Sequence, residues 1–321
     1  MSDQSAIYLQ TLFSVGSISQ AAKRLDISQP SLTQHIQRIE SEWGVEVIDR
    51  SVRPFRPTAA GQMVLETLIE MHDAKEACKR ALIDLSKGVR GHIRIGVSEY
   101  REVCFLTEVI PVFQKKYPMV QLSLVEGTTD QLEEFANAGH TDVSVTIAPT
   151  VNSDLVVEDL FEERHLLAVP ESSRLIPKDV REAGMINDFD ALAVFNFAKL
   201  DKKPFLIVKR GQRLHGVFQE LCRTCEVKPT LVLESESLTA ALALANAGLG
   251  ATLVTDRLAR FFMKSFEGGN QRPGVRFFEI HPAVAPRKVV VVRRKSRYIP
   301  KAVKALIETM QEVAGKQTNV H

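Results

Sequence analysis

The sequence lacks the features that mark membrane-spanning proteins and secreted disulfide scaffolds. It contains no uninterrupted run of about 18 apolar residues, which excludes a membrane-spanning helix. Its four cysteines are too few and too scattered for a disulfide framework. No basic segment followed by an apolar core opens the chain, so we expect no secretory signal. These absences favour a protein of the reducing cytoplasm that has no membrane partner.

The signatures of common enzymes and the charge excess of a histone-like protein are missing too. The motifs HExxH, GxSxG and GxGxxG and the P-loop do not occur, and the eight histidines are scattered. We therefore expect neither an enzyme nor a bound metal or cofactor. The 41 basic and 39 acidic residues leave a net charge of +2, which does not exclude a local nucleic-acid surface. The length of 321 residues, of which 45% are apolar, suits two globular domains.

Three short helical patterns occupy the N-terminal unit, residues 1–58. The second pattern follows Ser17, and Gln20 stands three residues later, as in a capping box. The third begins after Ser28, a predicted N-cap, and carries Pro30 in its first turn, where a missing N–H costs nothing. The short turn between these two helices predicts a helix-turn-helix unit, whose second helix enters the major groove of DNA.

The third helix is suited to reading DNA because residues 27–39 contain no acidic side chain. On the face away from its apolar residues it offers groups that bond bases or phosphates, on Gln29, Ser31, Thr33, Gln34 and Arg38. A second acid-free stretch, residues 50–65, predicts a rigid basic wing for phosphates or the minor groove, with Arg50, Arg53 and Arg56. The six basic and six acidic residues of 1–58 balance, so a plain helical subdomain remains an alternative.

One long helix is predicted between about residues 58 and 87. Its apolar side chains alternate three and four residues apart, with an interruption at Lys75: Val64, Leu68, Met71, Cys78, Leu82 and Leu85. A repeat of about 3.5 residues suits helix–helix association. Roughly 30 residues give a rod about 45 Å long. We therefore expect dimerisation through residues 59–88, although a helix packed on its own domain has the same pattern.

Strands and helices alternate from Gly91 onward, which predicts an α/β region with parallel sheets at residues 89–321. About ten strands in this region suggest two smaller lobes. The expected lobes are residues 91–168 with 276–321, and residues 169–275. Pro111 is expected to kink or shorten the first helix of the region.

Ligands of open α/β sheets bind beyond the carboxyl ends of the strands, where helix N-termini expose N–H groups to anions. The residues predicted at those ends are Ser98, Glu99, Tyr100, Arg101, Thr128, Thr129, Ala148, Val208, Lys209 and Thr252. Helix capping without a ligand explains Ser98 and Thr128 equally well. Glu99 disfavours a simple carboxylate ligand and admits an amine or a zwitterion, while a solvated charge at a helix start is the simpler interpretation.

Cys222 and Cys225 form a CxxC pair, a spacing used in redox and metal chemistry. They fall late in a predicted helix whose core positions include Leu214, Phe218 and Leu221, which favours buried structural thiols. One pair cannot build a four-cysteine zinc site. A thiol-based redox sensor remains an alternative, as does a bilobal binding protein or enzyme that does not bind DNA.

Two sets of motifs carry a family resemblance over nearly the whole chain. The N-terminal set is GSISQAAKRL at 16–25, ISQPSLTQHI at 27–36, Ile39, Glu40, Gly44, Arg50 and TAAG at 58–61. The C-terminal set is GHIRIG at 91–96, Phe113, Tyr117-Pro118, Glu126-Gly127, Gly139, Asp142 and AGLG at 247–250. Together they resemble the LysR-type transcriptional regulators. The departures are Gln34 for a frequent arginine, Trp43 and Pro57 for leucine, and Val47-Ile48 for Leu-Phe.

The resemblance implies a winged helix-turn-helix, a linker helix for dimerisation, and a two-lobed effector domain like a type 2 periplasmic binding protein. It implies a transcriptional regulator that binds double-stranded promoter DNA as a dimer or a homotetramer and senses a small organic effector between its lobes. RNA polymerase is a further expected partner. By the same resemblance Arg53 is the wing arginine, Ser98 and Thr128 line the cleft, and the base-reading residues are Gln29, Pro30, Ser31, Thr33 and Gln34.

Overall fold

The computed structural model describes residues 4–87, 89–182, 189, 191–266, 272–296 and 298–318. The chain forms two compact units, Met1–Gly88 with Ser296–Pro300, and Val89–Lys295 with Lys301–His321. Among the described helices, none has the length and apolar character that crossing a membrane requires.

The first unit contains three short helices, a two-stranded wing and one long helix. Its elements are α1 (Ser5–Val15), α2 (Ile18–Arg24), α3 (Gln29–Trp43), β1 (Ile48–Asp49), β2 (Arg56–Pro57) and α4 (Ala59–Lys87). The strands β1 and β2 pair in antiparallel fashion. Ser17 accepts a hydrogen bond from the N–H of Gln20, and Ser28 accepts one from the N–H of Ser31. Both predicted N-caps, and with them the winged helix-turn-helix, are confirmed.

Helix α3 turns its predicted apolar face into the core of the first unit. Leu32, Ile36 and Ile39 are buried in one cluster with Leu9 and Leu12 of α1. The glutamine, serine and arginine side chains of α3 therefore remain on the outside, because the 3.6-residue period separates them from this stripe.

The apolar stripe of α4 divides into two parts. Val64 and Leu68 are buried in the core of the first unit, whereas Met71 and Leu82 are 48% and 59% exposed. Cys78 is exposed as well, and the side chain of Leu85 lies outside the described residues. The predicted seam of residues 59–88 therefore serves the unit's own core at its N-terminal end, and the exposed remainder is available to a second helix.

The second unit contains two mixed sheets. The first sheet has five strands in the order β4 (Val120–Glu126), β3 (Gly91–Val97), β5 (Val143–Ile147), β13 (Arg287–Arg294) and β6 (Leu155–Glu163). The second has six, in the order β10 (Thr230–Ser235), β9 (Pro204–Val208), β11 (Ala251–Thr255), β7 (His165–Pro170), β12 (Val275–His281) and β8 (Val194–Asn196). The predicted parallel pairing holds for β3 with β4 and β5, and for β9 with β10 and β11. Strand β7 is antiparallel to its neighbours β11 and β12, and β13 is antiparallel to its neighbours β5 and β6.

Helices connect these strands. They are α5 (Glu99–Arg101), a π-helical segment (Glu102–Leu106), α6 (Thr107–Lys116), α7 (Thr129–Asn137), α8 (Lys178–Glu182), a 3-10 turn (Phe197–Leu200), α9 (Arg213–Cys225), α10 (Leu238–Asn246), α11 (Asp256–Lys264) and α12 (Lys301–Thr318). Pro111 lies inside α6 and does not shorten it, since the helix continues to Lys116. Pro111 removes one N–H donor from α6, and the segment directly before α6 is π-helical.

The expected lobe boundaries, at 168/169 and 275/276, need correction. Strand β6 ends in the first sheet at Glu163, and β7 begins in the second sheet at His165. Strand β12 also belongs to the second sheet because it pairs with β7. The first crossing is therefore a single residue, Arg164, with no glycine or proline to mark it in the sequence.

His165 lies buried where the chain crosses between the sheets. Burial and the neighbouring Arg287 guanidinium lower the pKa of His165 to about 4, although Glu163 acts in the opposite direction. The imidazole ring is therefore neutral in the folded protein at neutral pH.

We expect the second unit to lose stability as the pH falls from about 6.5 towards 4. An unfolded histidine takes up a proton near pH 6.5, whereas folded His165 does so only near pH 4, so protons favour the unfolded chain in this window. The loss between pH 7 and pH 5 is about 2 kcal/mol. Urea unfolding followed by far-UV circular dichroism measures it. His165→Phe should remove this loss and His281→Phe, at an exposed position, should retain it; equal pH dependence in both variants would contradict the assignment.

Gly61 allows α4 to approach the chain just before β1. A Cβ atom at Gly61 would overlap the backbone carbonyl of Val47, which cannot move aside as a flexible side chain can. We expect Gly61→Ala to destabilise the first unit by about 2 kcal/mol, as overpacking does. Trp43 is the single tryptophan and lies in this unit, so its fluorescence during urea unfolding reports the change.

The matched control is Gly216→Ala in α9, where an added Cβ meets nothing within 4 Å. Alanine at this helical position should stabilise the second unit by about 0.5–1 kcal/mol. A Gly61→Ala midpoint that equals that of the unchanged chain would show that the approach is not tight.

Candidate functional site

The predicted base-reading residues lie together at the N-terminal half of α3. Gln29, Pro30, Ser31 and Gln34 are exposed, and Thr33 is half-buried. Arg38 is exposed one turn further along. Helix α3 starts at Gln29 because Ser28 caps it and Pro30 fits its first turn. The arrangement offers amide, hydroxyl and guanidinium groups along one outer face, as reading a DNA groove requires.

Two of these side chains already have partners within the first unit. The Ser19 hydroxyl of α2 donates to Oε1 of Gln29 at 2.9 Å. The Thr33 hydroxyl donates to the carbonyl oxygen of Gln29 at 3.0 Å. Thr33 can therefore meet DNA as an acceptor or through its methyl group, but its hydroxyl hydrogen is already used.

His35 falls in the same segment but faces the core. Its ring nitrogen Nε2 lies 3.0 Å from the Ser5 hydroxyl, and its ring meets that of Tyr8 edge-on at 4.7 Å. Burial, and to a smaller degree Arg38, lower the pKa of His35. His35 therefore joins α3 to α1 instead of facing DNA.

The three wing arginines differ in their surroundings. Arg50 forms an ion pair with Glu40 at 3.0 Å, and Glu40 also accepts a hydrogen bond from the N–H of Val47. The Arg53 guanidinium lies 3.5 Å from the centre of the Phe55 ring, in a cation–π contact. Arg56 is exposed in β2 and has no ion pair among the described residues.

The effector candidates after β3 divide into a buried and a partly exposed pair. Tyr100 and Arg101 are buried, and both donate to Oε2 of Glu163, at 3.1 Å and 2.9 Å. Arg287 lies 3.5 Å from the same oxygen. Tyr100 and Arg101 therefore have a structural role. The prediction missed Glu163, because the acidic run that contains it reads as an ordinary exposed strand end.

The electrostatics of Glu163 follow from its neighbours. Burial raises the pKa of the Glu163 carboxyl group. The nearby guanidinium groups of Arg101 and Arg287 lower this pKa and outweigh burial, so the net pKa lies below its usual value. Burial likewise raises the pKa of Tyr100. The tyrosine is thus a neutral donor to an ionised carboxylate, a charge-assisted hydrogen bond.

Ser98 and Glu99 are the half-buried members of the same segment, and Glu99 connects the two lobes. The Ser98 hydroxyl accepts from Nη1 of Arg101 at 3.3 Å and does not cap α5. The Ser237 hydroxyl, which caps α10, donates to Oε1 of Glu99 at 3.2 Å. The interpretation of Glu99 as a purely solvated charge is therefore wrong. A serine directly before an apolar helical run was the available signal for Ser237.

The other effector candidates lie in three kinds of place. Thr128 caps α7 in a complete capping box with Gln131, and Thr129 and Ala148 are half-buried beyond β4 and β5. Val208 is the buried last residue of β9. Lys209 is exposed and forms an ion pair with Glu236 at 2.6 Å.

Thr252 does not lie at a carboxyl strand end, so its prediction needs correction. It is the second residue of β11, is 1% exposed, and pairs with Ala168 and Leu206 inside the sheet. Gly250, directly before the strand, packs against the backbone of Pro204, which leaves no space there for a side chain.

The cysteines of the second unit are protonated thiols at neutral pH. Burial raises the pKa of Cys222 to about 11 and also raises that of Cys225. Cys104, which the sequence analysis did not single out, is buried beside Glu163, and its pKa is raised to about 12. None of these thiols has the lowered pKa of a reactive cysteine, so the redox alternative gains no support. Within the described ranges, no three His, Cys, Asp or Glu residues are placed to hold a metal.

Both units match models of one protein family. The model described as "Bacterial regulatory helix-turn-helix protein, lysR family" matches residues 5–62, and the "LysR substrate binding domain" matches residues 86–315. The HTH-type transcriptional regulator YcgK of Bacillus subtilis is 27% identical over 306 residues, which cover 94% of this chain and 91% of YcgK. AlsR of the same species is 26% identical over 246 residues, 75% of this chain and 76% of AlsR.

Solved structures show the same fold. Full-length OxyR from Pseudomonas aeruginosa aligns with a TM-score of 0.63 at 20% identity, over 97% of this chain and 98% of OxyR. Full-length CbnR, solved in complex with its target DNA, aligns with a TM-score of 0.56 at 22% identity, over 98% and 100% of the two chains. Because the substrate-domain match alone covers more than half of the sequence, this chain belongs to the LysR family of DNA-binding transcriptional regulators, with an N-terminal helix-turn-helix and an effector-binding domain.

Proposed function

We propose that this chain binds a promoter through the outer face of α3 and its wing, pairs with a second copy through α4, and responds to a small organic effector between its two sheets. The observation that carries the DNA-binding part is the N-terminal half of α3, where Gln29, Ser31 and Gln34 are exposed and no acidic residue intervenes. Two dimers on neighbouring half-sites, and a contact with RNA polymerase, complete the proposed assembly.

Each exposed group of this interface suits a different part of DNA. The amide of Gln34 can bond an adenine edge, and its place in the helix is one where the family often has arginine, so we expect adenine over guanine there. Arg38 can reach guanine or a phosphate. Arg56 is available to a phosphate, whereas Arg50 and Arg53 fix the shape of the wing through Glu40 and Phe55.

We expect Gln34→Ala and Arg56→Gln to weaken DNA binding in different ways. Loss of a base contact by Gln34→Ala should cost about tenfold or more on the preferred site and leave the salt dependence unchanged. Loss of a phosphate contact by Arg56→Gln should weaken binding to all sequences alike and lower the salt slope by about one. Fluorescence anisotropy with the full chain and DNA upstream of its own gene measures both.

The matched control for this experiment is Ser41→Ala, at an exposed position in the last turns of α3. It should change neither affinity nor salt dependence. Equal losses of Gln34→Ala on specific and on random DNA would contradict base reading by α3. Failure of the unchanged chain to bind any DNA preferentially would overturn the proposed function itself.

The dimer part of the proposal rests on the exposed stripe of α4. Met71, Cys78 and Leu82 are exposed along one helix, and each is apolar enough to favour burial against a second helix. The modest net charge of +2 makes a second DNA-binding unit valuable, because two linked units bind paired half-sites far more tightly than one.

The effector part rests on the hydrogen bond between Glu99 and Ser237. It joins α5, beyond the first sheet, to α10, beyond the second sheet, so a ligand that enters there has to replace or extend it. A ligand shifts the arrangement of the two lobes only if it binds one arrangement more tightly than the other. Hydrogen bonds that differ between the two arrangements provide this difference in affinity. The charge of Glu99 suits an effector with an amino group better than a simple carboxylate.

We expect Glu99→Ala to loosen the first turn of α10. The Ser237 hydroxyl then loses the charged acceptor that holds it, and a partly exposed bond of this kind accounts for about a fivefold change in local opening. Hydrogen exchange measured by mass spectrometry over residues 238–242 detects this change. Glu99→Gln keeps an acceptor oxygen but loses the charge, so its exchange rate should lie between those of Glu99→Ala and the unchanged chain.

The matched control is Glu102→Ala, three residues further along the chain, at the start of the π-helical segment that follows α5. It should leave the exchange of α10 unchanged. Equal exchange in Glu99→Ala and the unchanged chain, or the same acceleration in Glu102→Ala, would show that this bond does not hold the lobes.

A further inference from the structure

A side-chain hydrogen bond joins the N-terminal ends of α2 and α3. The Ser19 hydroxyl donates to Oε1 of Gln29 at 2.9 Å, and both residues are exposed. Gln29 is the first residue of α3. The contact therefore lies at the end of the recognition helix that enters the groove first.

Two hydroxyls on helices of the first unit use their hydrogen within their own helix. Ser14 donates to the carbonyl of Thr11, and Thr33 donates to the carbonyl of Gln29. This back-bonding is the ordinary behaviour of serine and threonine in helices. Ser19 instead reaches across to α3, so its hydrogen bond fixes a side chain of another helix.

We propose that Ser19 is a positioning residue that sets which base edge Gln29 reads. A free glutamine amide presents one acceptor and one donor group, the pattern that matches adenine. When Oε1 accepts from Ser19, this oxygen faces α2 and one of its two lone pairs is in use, so the two hydrogens of Nε2 are the groups that lead towards DNA. Gln29 then acts as a donor, and it suits bases with acceptors in the major groove, guanine through O6 and N7 or thymine through O4.

The contact also orders Gln29 before DNA arrives. A glutamine side chain loses considerable rotamer freedom when it is fixed in an interface. Ser19 imposes part of that order in the free protein, so less is lost on binding. The proposal rests on the proposed DNA-binding function and adds to it a base preference and the residue that causes it.

The experiment is a selection of binding sites from randomised double-stranded DNA by the full chain. The unchanged chain should select guanine or thymine at one position of each half-site. Ser19→Ala should shift that position towards adenine by roughly tenfold relative to guanine or thymine and leave the other positions unchanged. Ser19→Thr keeps the hydroxyl and should retain the base preference of the unchanged chain.

The matched control is Ser17→Ala in the same turn of the chain. Ser17 caps α2 through the N–H of Gln20, so its loss destabilises α2. It should weaken binding to all sites without changing the base preference. A purely structural role of Ser19 would give the same result as this control and would overturn the proposal.

A double-mutant comparison tests whether Ser19 acts through Gln29. In a Gln29→Ala background, Ser19→Ala should change neither preference nor affinity further. An equal effect of Ser19→Ala with and without Gln29, or an unchanged preference in Ser19→Ala alone, overturns this inference while DNA binding stands. If the unchanged chain selects no site at all, the proposed function fails together with it.

Discussion

The second unit depends on one buried carboxylate. Glu163 is fully buried at the end of β6, and its Oε2 atom meets the guanidinium groups of Arg101 and Arg287 and the hydroxyl of Tyr100. An ionised carboxylate is very costly in a protein interior unless such partners surround it. The partners come from α5 and from the first residue of β13. Glu163 ends β6 directly before the first crossing between the sheets, and Arg287 begins β13 directly after the second, so this charge joins both crossings to α5.

This arrangement also determines what the segment after β3 can offer to a ligand. Tyr100 and Arg101 both donate hydrogen bonds to Glu163, and Arg101 also donates one to the Ser98 hydroxyl. Glu99, which lies between Ser98 and Tyr100 in the sequence, accepts a hydrogen bond from Ser237 instead. The crossing between the sheets and the contact between the lobes are therefore built by neighbouring residues. Glu99 is thus the direct sequence neighbour of Tyr100, which contacts Glu163 at the crossing.

The sequence was a good guide wherever the interaction is local. Ser17, Ser28 and Thr128 cap helices because a hydroxyl three residues before an N–H needs no information from elsewhere in the chain. It was a poor guide to Glu163 and Thr252, whose surroundings come from strands far away in sequence. The same holds for Arg50. Its acid-free stretch predicted a contact with phosphate, but its guanidinium group is bound to Glu40, ten residues earlier in the sequence.

The polar groups of the first unit differ in how much of their order exists before DNA binds. Arg50 and Arg53 are held by Glu40 and by the Phe55 ring, so they fix the form of the wing and have little freedom left to lose. Arg56 is exposed and keeps its freedom, which suits a salt-sensitive phosphate contact. In the proposed interface, Arg50 is neutralised by Glu40, whereas Arg53 and Arg56 keep their charge for attraction to DNA. The proposal therefore needs only a few positive charges in a unit that is nearly neutral as a whole.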